Sequence, residues 1–116
     1  MGDRHHVWAA AEWVLMMRNL FLREEGETLV LASGMAEEWL RAGGGSFGPA
    51  PCEFGVVSVS VRPEGESVRV AWEARWHTPP LAVEVRLPGR PVLRLDPAAT
   101  SALVPTRAEA AMAAFP

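Results

Sequence analysis

The feature that most constrains the fold is a period-two alternation of apolar and polar side chains after Phe54. In the first run, valine alternates with serine or arginine from residue 57 to residue 62. In the second, apolar residues recur at every other position from Val68 to Trp76. Successive side chains of a strand point to opposite faces, so each run predicts a half-buried strand. The Pro63–Glu66 turn between them predicts an antiparallel hairpin.

A third alternating run, Leu81–Leu87, follows a break at Thr78-Pro79-Pro80, and a short fourth strand is predicted over Pro91–Leu95. Together the four runs predict a meander that forms one antiparallel sheet and ends at Asp96-Pro97. Arginine and glutamate occupy its polar positions, as expected for a solvated face.

A helix is predicted over His5–Arg23, a stretch without glycine or proline. Its polar residues form one narrow stripe, and apolar residues cover most of the remaining circumference. One small sheet can cover only one face of such a helix, so we expect neighbours on several sides. The candidate interface residues are Val14, Leu15, Phe21 and Leu22.

The predicted fold is therefore mainly β with an N-terminal helix (α+β), a small antiparallel β-sandwich or meander packed with one long helix. Residues 1–27 hold the helix, and residues 28–96 form the antiparallel β domain with a short helical turn at 34–40. Residues 97–116 form a tail with a short helix. Ser33 is the expected N-cap of the helical turn, and Glu37 and Glu38 favour its N-terminal dipole. The stretch 43–51 is expected to be a glycine- and proline-rich loop.

Composition excludes several classes of function. Eleven basic and 14 acidic residues give a net charge of -3, and their scatter along the chain predicts neither nucleic acid nor membrane as a partner. Cys52, expected in a loop, is the only cysteine, which excludes an internal disulfide. His5 and His6 point about 100° apart on a helix, and His77 has no second ligand nearby in sequence. The sequence thus predicts no metal, no cofactor, no catalytic residue and no enzymatic activity.

Five tryptophans raise the alternative of carbohydrate binding. Trp72 and Trp76 share the apolar face of a strand, and Trp13 lies among apolar helix positions, so these three are expected in the core. Trp39 is the one candidate binding platform, and the sequence does not decide the place of Trp8.

The run from Leu29 to Leu40, LVLASGMAEEWL, resembles the junction after the last barrel helix in bacterial six-hairpin glycosidase-like proteins. The resemblance continues through the glycine-rich loop, the Phe54–Ser58 strand entry, the Pro79-Pro80 break and the Leu87–Pro91 turn, and covers residues 13–95. In that family an (α/α)6 toroid carries the catalytic carboxylates and leads into a C-terminal β-sandwich. The resemblance thus implies a non-catalytic module, with His5–Arg23 as the final toroid helix.

Two functions follow as expectations. The first is a non-catalytic accessory C-terminal module of a glycoside-hydrolase-like protein; the alternative is an autonomous protein- or carbohydrate-binding module. The expected partners are a second copy of the chain or a helical catalytic domain, with carbohydrate as the alternative ligand. The first residues lack the pattern of a signal peptide, which slightly favours the cytoplasm but leaves the compartment open.

Overall fold

The computed structural model describes residues 2–107 of the chain, with the side chains of residues 12–107. This part contains a long N-terminal helix, a short second helix and eight strands. In chain order they are α1 (Gly2–Phe21), β1 (Leu22–Glu25), β2 (Thr28–Leu31), α2 (Glu37–Arg41), β3 (Gly45–Cys52), β4 (Gly55–Glu64), β5 (Ser67–Trp76), β6 (Ala82–Val85), β7 (Leu93–Leu95) and β8 (Ser101–Val104).

The strands form two four-stranded sheets. Sheet I has the order β1-β2-β6-β7, and sheet II has the order β3-β4-β5-β8. Strands β2 and β6 are parallel, and the other neighbouring strands are antiparallel. The hydrophobic core includes side chains from both sheets, among them Leu29 and Val83 of sheet I and Val59 and Val70 of sheet II. The predicted class, a mainly β sandwich with an N-terminal helix, is confirmed.

The alternating runs after Phe54 form the predicted hairpin of β4 and β5. Val59 lies opposite Trp72, and Val61 lies opposite Val70. These four side chains are buried, whereas Ser58 and Ser60 lie on the other face and stay partly accessible. The period-two pattern therefore identified both the strands and the buried face.

The prediction of one four-stranded meander is wrong. The third and fourth predicted strands, β6 and β7, pair with each other but belong to sheet I, where β6 lies beside β2. The Thr78-Pro79-Pro80 segment carries the chain from sheet II to sheet I, because proline cannot continue the hydrogen-bond ladder. Sequence alternation reports which face of a strand is buried, but it does not report which sheet the strand joins.

Three further strands were not predicted. Strand β3 replaces the expected loop, and Cys52 is its last residue; its prolines are tolerated because β3 is an edge strand with a register shift between Phe47 and Ala50. Strand β8 extends sheet II beyond the expected end at Asp96-Pro97, since it pairs with β5. Strand β1 occupies the end of the predicted helix, because Leu22 and Arg23 pair with β2.

The second helix also differs from expectation at its start. Its N-cap is Ala36, which makes no side-chain capping bond, while the Oγ of Ser33 accepts a hydrogen bond from Nε of Arg23 at 3.2 Å. Glu37 and Glu38 do lie in the first turn. The helix predicted in the tail falls on residues 107–115, of which 108–115 lie outside the described residues.

The C-terminal end of α1 is built into the sandwich. The ring of Phe21 stacks on Phe47 with centroids 5.8 Å apart, and its carbonyl accepts a hydrogen bond from the amide of Ala32. Gly34 permits this approach, since a Cβ there would lie 2.8 Å from the Cα of Leu20.

The chain measures 65 × 33 × 20 Å. A 20-residue helix spans about 30 Å, so α1 accounts for much of the long dimension.

Candidate functional site

The most unusual surface is one turn of α1, Trp13–Met16, called here the exposed segment. Trp13 is 59% exposed, Val14 55%, Leu15 56% and Met16 56%. Consecutive helix residues point 100° apart, so these four side chains together face all sides of the helix. No face of α1 at this level is covered by the described residues. The expectation that Trp13 lies in the core is wrong. Among the described side chains of α1, those that pack against the core begin at Met17, and Trp13 precedes them.

The structure divides the predicted interface residues into two pairs. Val14 and Leu15 lie in the exposed segment and remain candidates for an interface. Phe21 and Leu22 are buried in the chain's own core, where no partner can reach them. Helical periodicity shows how apolar residues are distributed around the helix axis. Which part of the helix packs against the sandwich depends on tertiary contacts, which the periodicity does not contain.

An ionic clamp joins α1 to the sandwich. Nη2 of Arg18 donates to both carboxylate oxygens of Glu24, at 2.9 and 3.0 Å, and to the carbonyl of Pro51 at 3.3 Å. Glu24 Oε2 also accepts the backbone amide of Glu53 at 3.1 Å. The two charged side chains are only 18% and 19% exposed. The clamp therefore links α1, β1 and the β3–β4 turn, and it fixes the direction in which α1 leaves the sandwich.

The clamp also sets the ionisation of its carboxylate. Partial burial alone would raise the pKa of Glu24, but the hydrogen bonds from Arg18 and Glu53 and the charge of Arg18 outweigh it. The pKa of Glu24 is therefore lowered, and the clamp is ionised at neutral pH.

The contacts of α1 define its path. Phe21 lies against Gly45 and Phe47 near the start of β3, and Arg18 reaches Pro51 near its end. The helix therefore runs along the free edge of β3, and the exposed segment lies beyond the β3–β4 turn.

Three loops meet at the end of the sandwich from which α1 projects. They are residues 25–28, 52–55 and 76–82, which we call the helix-side end. The amide of Leu81 donates to the carbonyl of Glu27 at 2.7 Å, and the amides of His77 and Thr78 donate to that of Phe54. Leu81 is 68% exposed, more than any other large hydrophobic residue among the described side chains.

A second surface is a trough on the outer face of sheet II. Ser46, Ser60, Ala71 and Ser101 are successive cross-strand neighbours on β3, β4, β5 and β8. Their small side chains help to leave a concavity of about 900 Å³, to which Glu73 adds a carboxylate. The sequence could not predict the trough, because β3 and β8, which supply two of its four strands, were expected to be loop and tail.

Two aromatic residues line the trough, Phe47 and Trp72, but Phe47 stacks on Phe21 and Trp72 is buried. Trp39 is partly exposed, as a platform requires, but it does not line the trough. Trp72 is buried and Trp76 is partly buried with its Nε1 donating to Pro97, so both lie with the core as predicted. The side chains of Trp8, His5 and His6 lie outside those described, and His77 contacts Thr78 through Nδ1 at 3.2 Å.

The chain matches no protein-family model, no curated protein and no solved structure. Within residues 2–107, no group of three or more histidine, cysteine, aspartate or glutamate residues is placed to hold a metal ion. No helix in this part is long and apolar enough to cross a membrane.

Proposed function

We propose that the chain is a non-catalytic accessory module that docks through α1 against a helical partner. The observation that carries the proposal is the exposed segment, in which four consecutive apolar side chains are each more than half accessible. A helix that is apolar on all sides is stable in water only when other elements surround it. Helices suit this role, because their side chains interdigitate with those of another helix from several directions.

The resemblance to six-hairpin glycosidase-like proteins supplies the identity of the partner in this proposal. The partner is the helical catalytic domain of a glycoside-hydrolase-like protein, and α1 takes the place of its last helix. The clamp supports this assignment, because a module that holds a neighbouring domain in one orientation needs a fixed angle between α1 and the sandwich.

Sedimentation equilibrium of the isolated chain at micromolar concentration tests whether α1 is a docking surface. Without its helical partner, the chain is expected to cover α1 by self-association. Val14→Glu and Leu15→Glu should each weaken association at least tenfold, because a charge would have to be buried. Val92→Glu is the matched control, since Val92 is a 57% exposed aliphatic residue away from α1. A monomeric chain, or association unaffected by both helix variants, would contradict the proposal.

Carbohydrate binding is the second proposal, and the trough is the observation that favours it. Serine hydroxyls both donate and accept hydrogen bonds, as the hydroxyls of a sugar do. Titration with soluble oligosaccharides, followed by tryptophan fluorescence, tests this function. Glu73→Ala should weaken binding if the trough is the site, and Trp39→Ala should weaken it if Trp39 is the platform. Binding that neither substitution changes would contradict both assignments.

A further inference from the structure

Hydroxyl groups line the trough of sheet II across all four strands. Ser46, Ser60 and Ser101 lie with Ala71 in one cross-strand row, and Ser58, two positions before Ser60, shares their face of the sheet. All five residues line the trough. Neighbouring strands are about 4.8 Å apart, so the row from β3 to β8 spans about 14 Å. The trough therefore offers several hydroxyl donors and acceptors to a single elongated ligand.

A glycine keeps the trough open on its β3 side. Gly48 lines the trough at the register shift of β3, and its φ is 123°. A Cβ at this position would lie 2.7 Å from the Cα of Ser58 and 3.0 Å from its Oγ. Any other residue at position 48 would therefore place its side chain against the hydroxyl of Ser58. Glycine leaves that hydroxyl uncovered.

Glu73 is the one charged side chain among the described residues that line the trough. It lies opposite Ser58 in the β4–β5 ladder and is exposed. The ion pairs formed within the described part of the chain do not include it. Arg75 follows it on the same face of β5 but does not line the trough. An unpaired carboxylate attracts a positive charge, so the trough favours a ligand with a cationic group.

The sheet beneath the trough favours a sugar over a peptide. Sheets recognise extended peptides mainly through main-chain hydrogen bonds at a free edge. The strands beneath the centre of the trough, β4 and β5, are paired on both sides, so their backbone groups are already bonded within the sheet. Stacking on an aromatic ring is also excluded there, because Phe47 stacks on Phe21 and Trp72 is buried. Recognition therefore depends on hydroxyls and on one negative charge, and an amino sugar carries groups that complement both.

We propose that the trough binds oligomers of an unacetylated amino sugar, with Glu73 facing an ammonium group and the serine hydroxyls bonded to the sugar hydroxyls. This inference rests on the second proposed function, carbohydrate binding at the trough, and names the class of carbohydrate. Because Glu73 is exposed, solvent and salt screen its attraction for the ligand. The preference for the charged sugar is therefore moderate and decreases as the salt concentration rises.

Isothermal titration calorimetry of the full chain tests this inference with three oligosaccharides of equal length and linkage. Their units are glucosamine, N-acetylglucosamine and glucose, which differ only in one ring substituent: an amine, an acetamide or a hydroxyl. At low salt and at a slightly acidic pH that keeps the amines protonated, the glucosamine oligomer should bind at least about threefold more tightly than the other two. Glu73→Gln should abolish this preference. Glu27→Gln is the matched control, since it removes an exposed carboxylate in the β1–β2 turn, and it should leave the preference unchanged.

A second variant tests the place of the site without changing the charge. Ala71→Leu fills the middle of the serine row and should weaken binding of the glucosamine oligomer at least tenfold. Unchanged binding by this variant would overturn the assignment to the trough. Urea unfolding of each variant confirms that weaker binding does not reflect loss of the sandwich.

The outcomes separate this inference from the proposed carbohydrate binding. If all three oligosaccharides bind equally and Ala71→Leu weakens them all, the trough is a carbohydrate site and the selection of a cationic sugar is wrong. A preference for glucosamine that survives Glu73→Gln would overturn the role of Glu73. A lysine peptide of equal charge that binds as tightly as the glucosamine oligomer would overturn the assignment to a sugar. If none of the oligosaccharides binds, both the inference and the carbohydrate proposal are wrong.

Discussion

Replacement of Glu24 by glutamine tests the ionic clamp between α1 and the sandwich. Glu24 accepts two hydrogen bonds from Arg18 and one from the amide of Glu53, and both charged side chains are about four-fifths buried. Glutamine can retain the bond to the amide of Glu53, but it removes the negative charge that faces the guanidinium. Hydrogen bonds to charged groups contribute about 1.5 to 3 kcal/mol, so we expect a loss of about 1 to 2 kcal/mol after allowance for partial exposure.

Urea-induced unfolding, followed by tryptophan fluorescence, measures this loss. The adjacent Glu25→Gln is the matched control, because Glu25 also binds arginines, Arg23 and Arg86, but is half exposed. We expect Glu25→Gln to cost less than Glu24→Gln, since solvent screens an exposed pair. Equal losses for the two variants, or none for Glu24→Gln, would refute the clamp.

The difference in unfolding free energy between the wild-type chain and Glu24→Gln should depend on pH. The pKa of Glu24 is lower in the folded chain than in the unfolded chain. Its contribution is therefore complete above the unfolded-state pKa of about 4.3 and is lost as the pH falls through the lower folded-state value. The difference in unfolding free energy between wild type and Glu24→Gln should be constant from pH 6 to 8 and should shrink towards pH 3. A difference that stays constant down to pH 3 would show that ionisation of Glu24 has no part in it.

Three further predictions concern the core, the base of α1 and the absence of catalysis. Val59→Ala should lower the unfolding free energy by about 2 kcal/mol, because it leaves a cavity beside Trp72. Val56→Ala, on the exposed face of β4, should change it by less than about 0.5 kcal/mol. Equal effects of the two substitutions would contradict the assignment of the two faces of β4. Gly34→Ala should destabilise the chain by about 1 to 3 kcal/mol, since its Cβ would collide with Leu20; unchanged stability in urea would show that α1 does not approach this loop. The purified chain should hydrolyse none of a panel of glycosides, and activity that is lost on mutation of Glu37 or Glu38 would overturn their structural role.

The sequence predicts the parts of the fold that local pattern determines. The β4–β5 hairpin has a strict period of two, and its buried face follows from that period. The predicted strands β6 and β7 also form, but their place in sheet I depends on the parallel pairing of β6 with β2, a contact between residues 54 positions apart, such as Thr28 and Ala82. Local alternation contains no information about such a contact.

The unpredicted strands depend on their neighbours. Strand β3 contains Gly48, Pro49 and Pro51, which are residues that disfavour strands. It forms because it pairs antiparallel with the regular strand β4. The trough could not be predicted for the same reason, since Ser46 lies on β3. For α1, the apolar circumference did predict an unpartnered helix. It did not predict that Phe21 and Leu22 enter the core while Val14 and Leu15 remain outside, because the exit point is set by the Phe21–Phe47 stack and the clamp.

Hydrogen exchange of the α1 amides tests the central claim most directly. It is measured by mass spectrometry at chain concentrations above and below the dissociation constant of self-association. If α1 is the docking surface, amides of residues 12–16 should exchange rapidly in the dilute chain, because a projecting helix opens locally. They should become at least tenfold slower in the associated chain, while the β4–β5 hairpin stays equally protected in both states. Protection that appears at the trough of sheet II and leaves α1 unchanged would contradict the claim that α1 is the surface on which a partner docks.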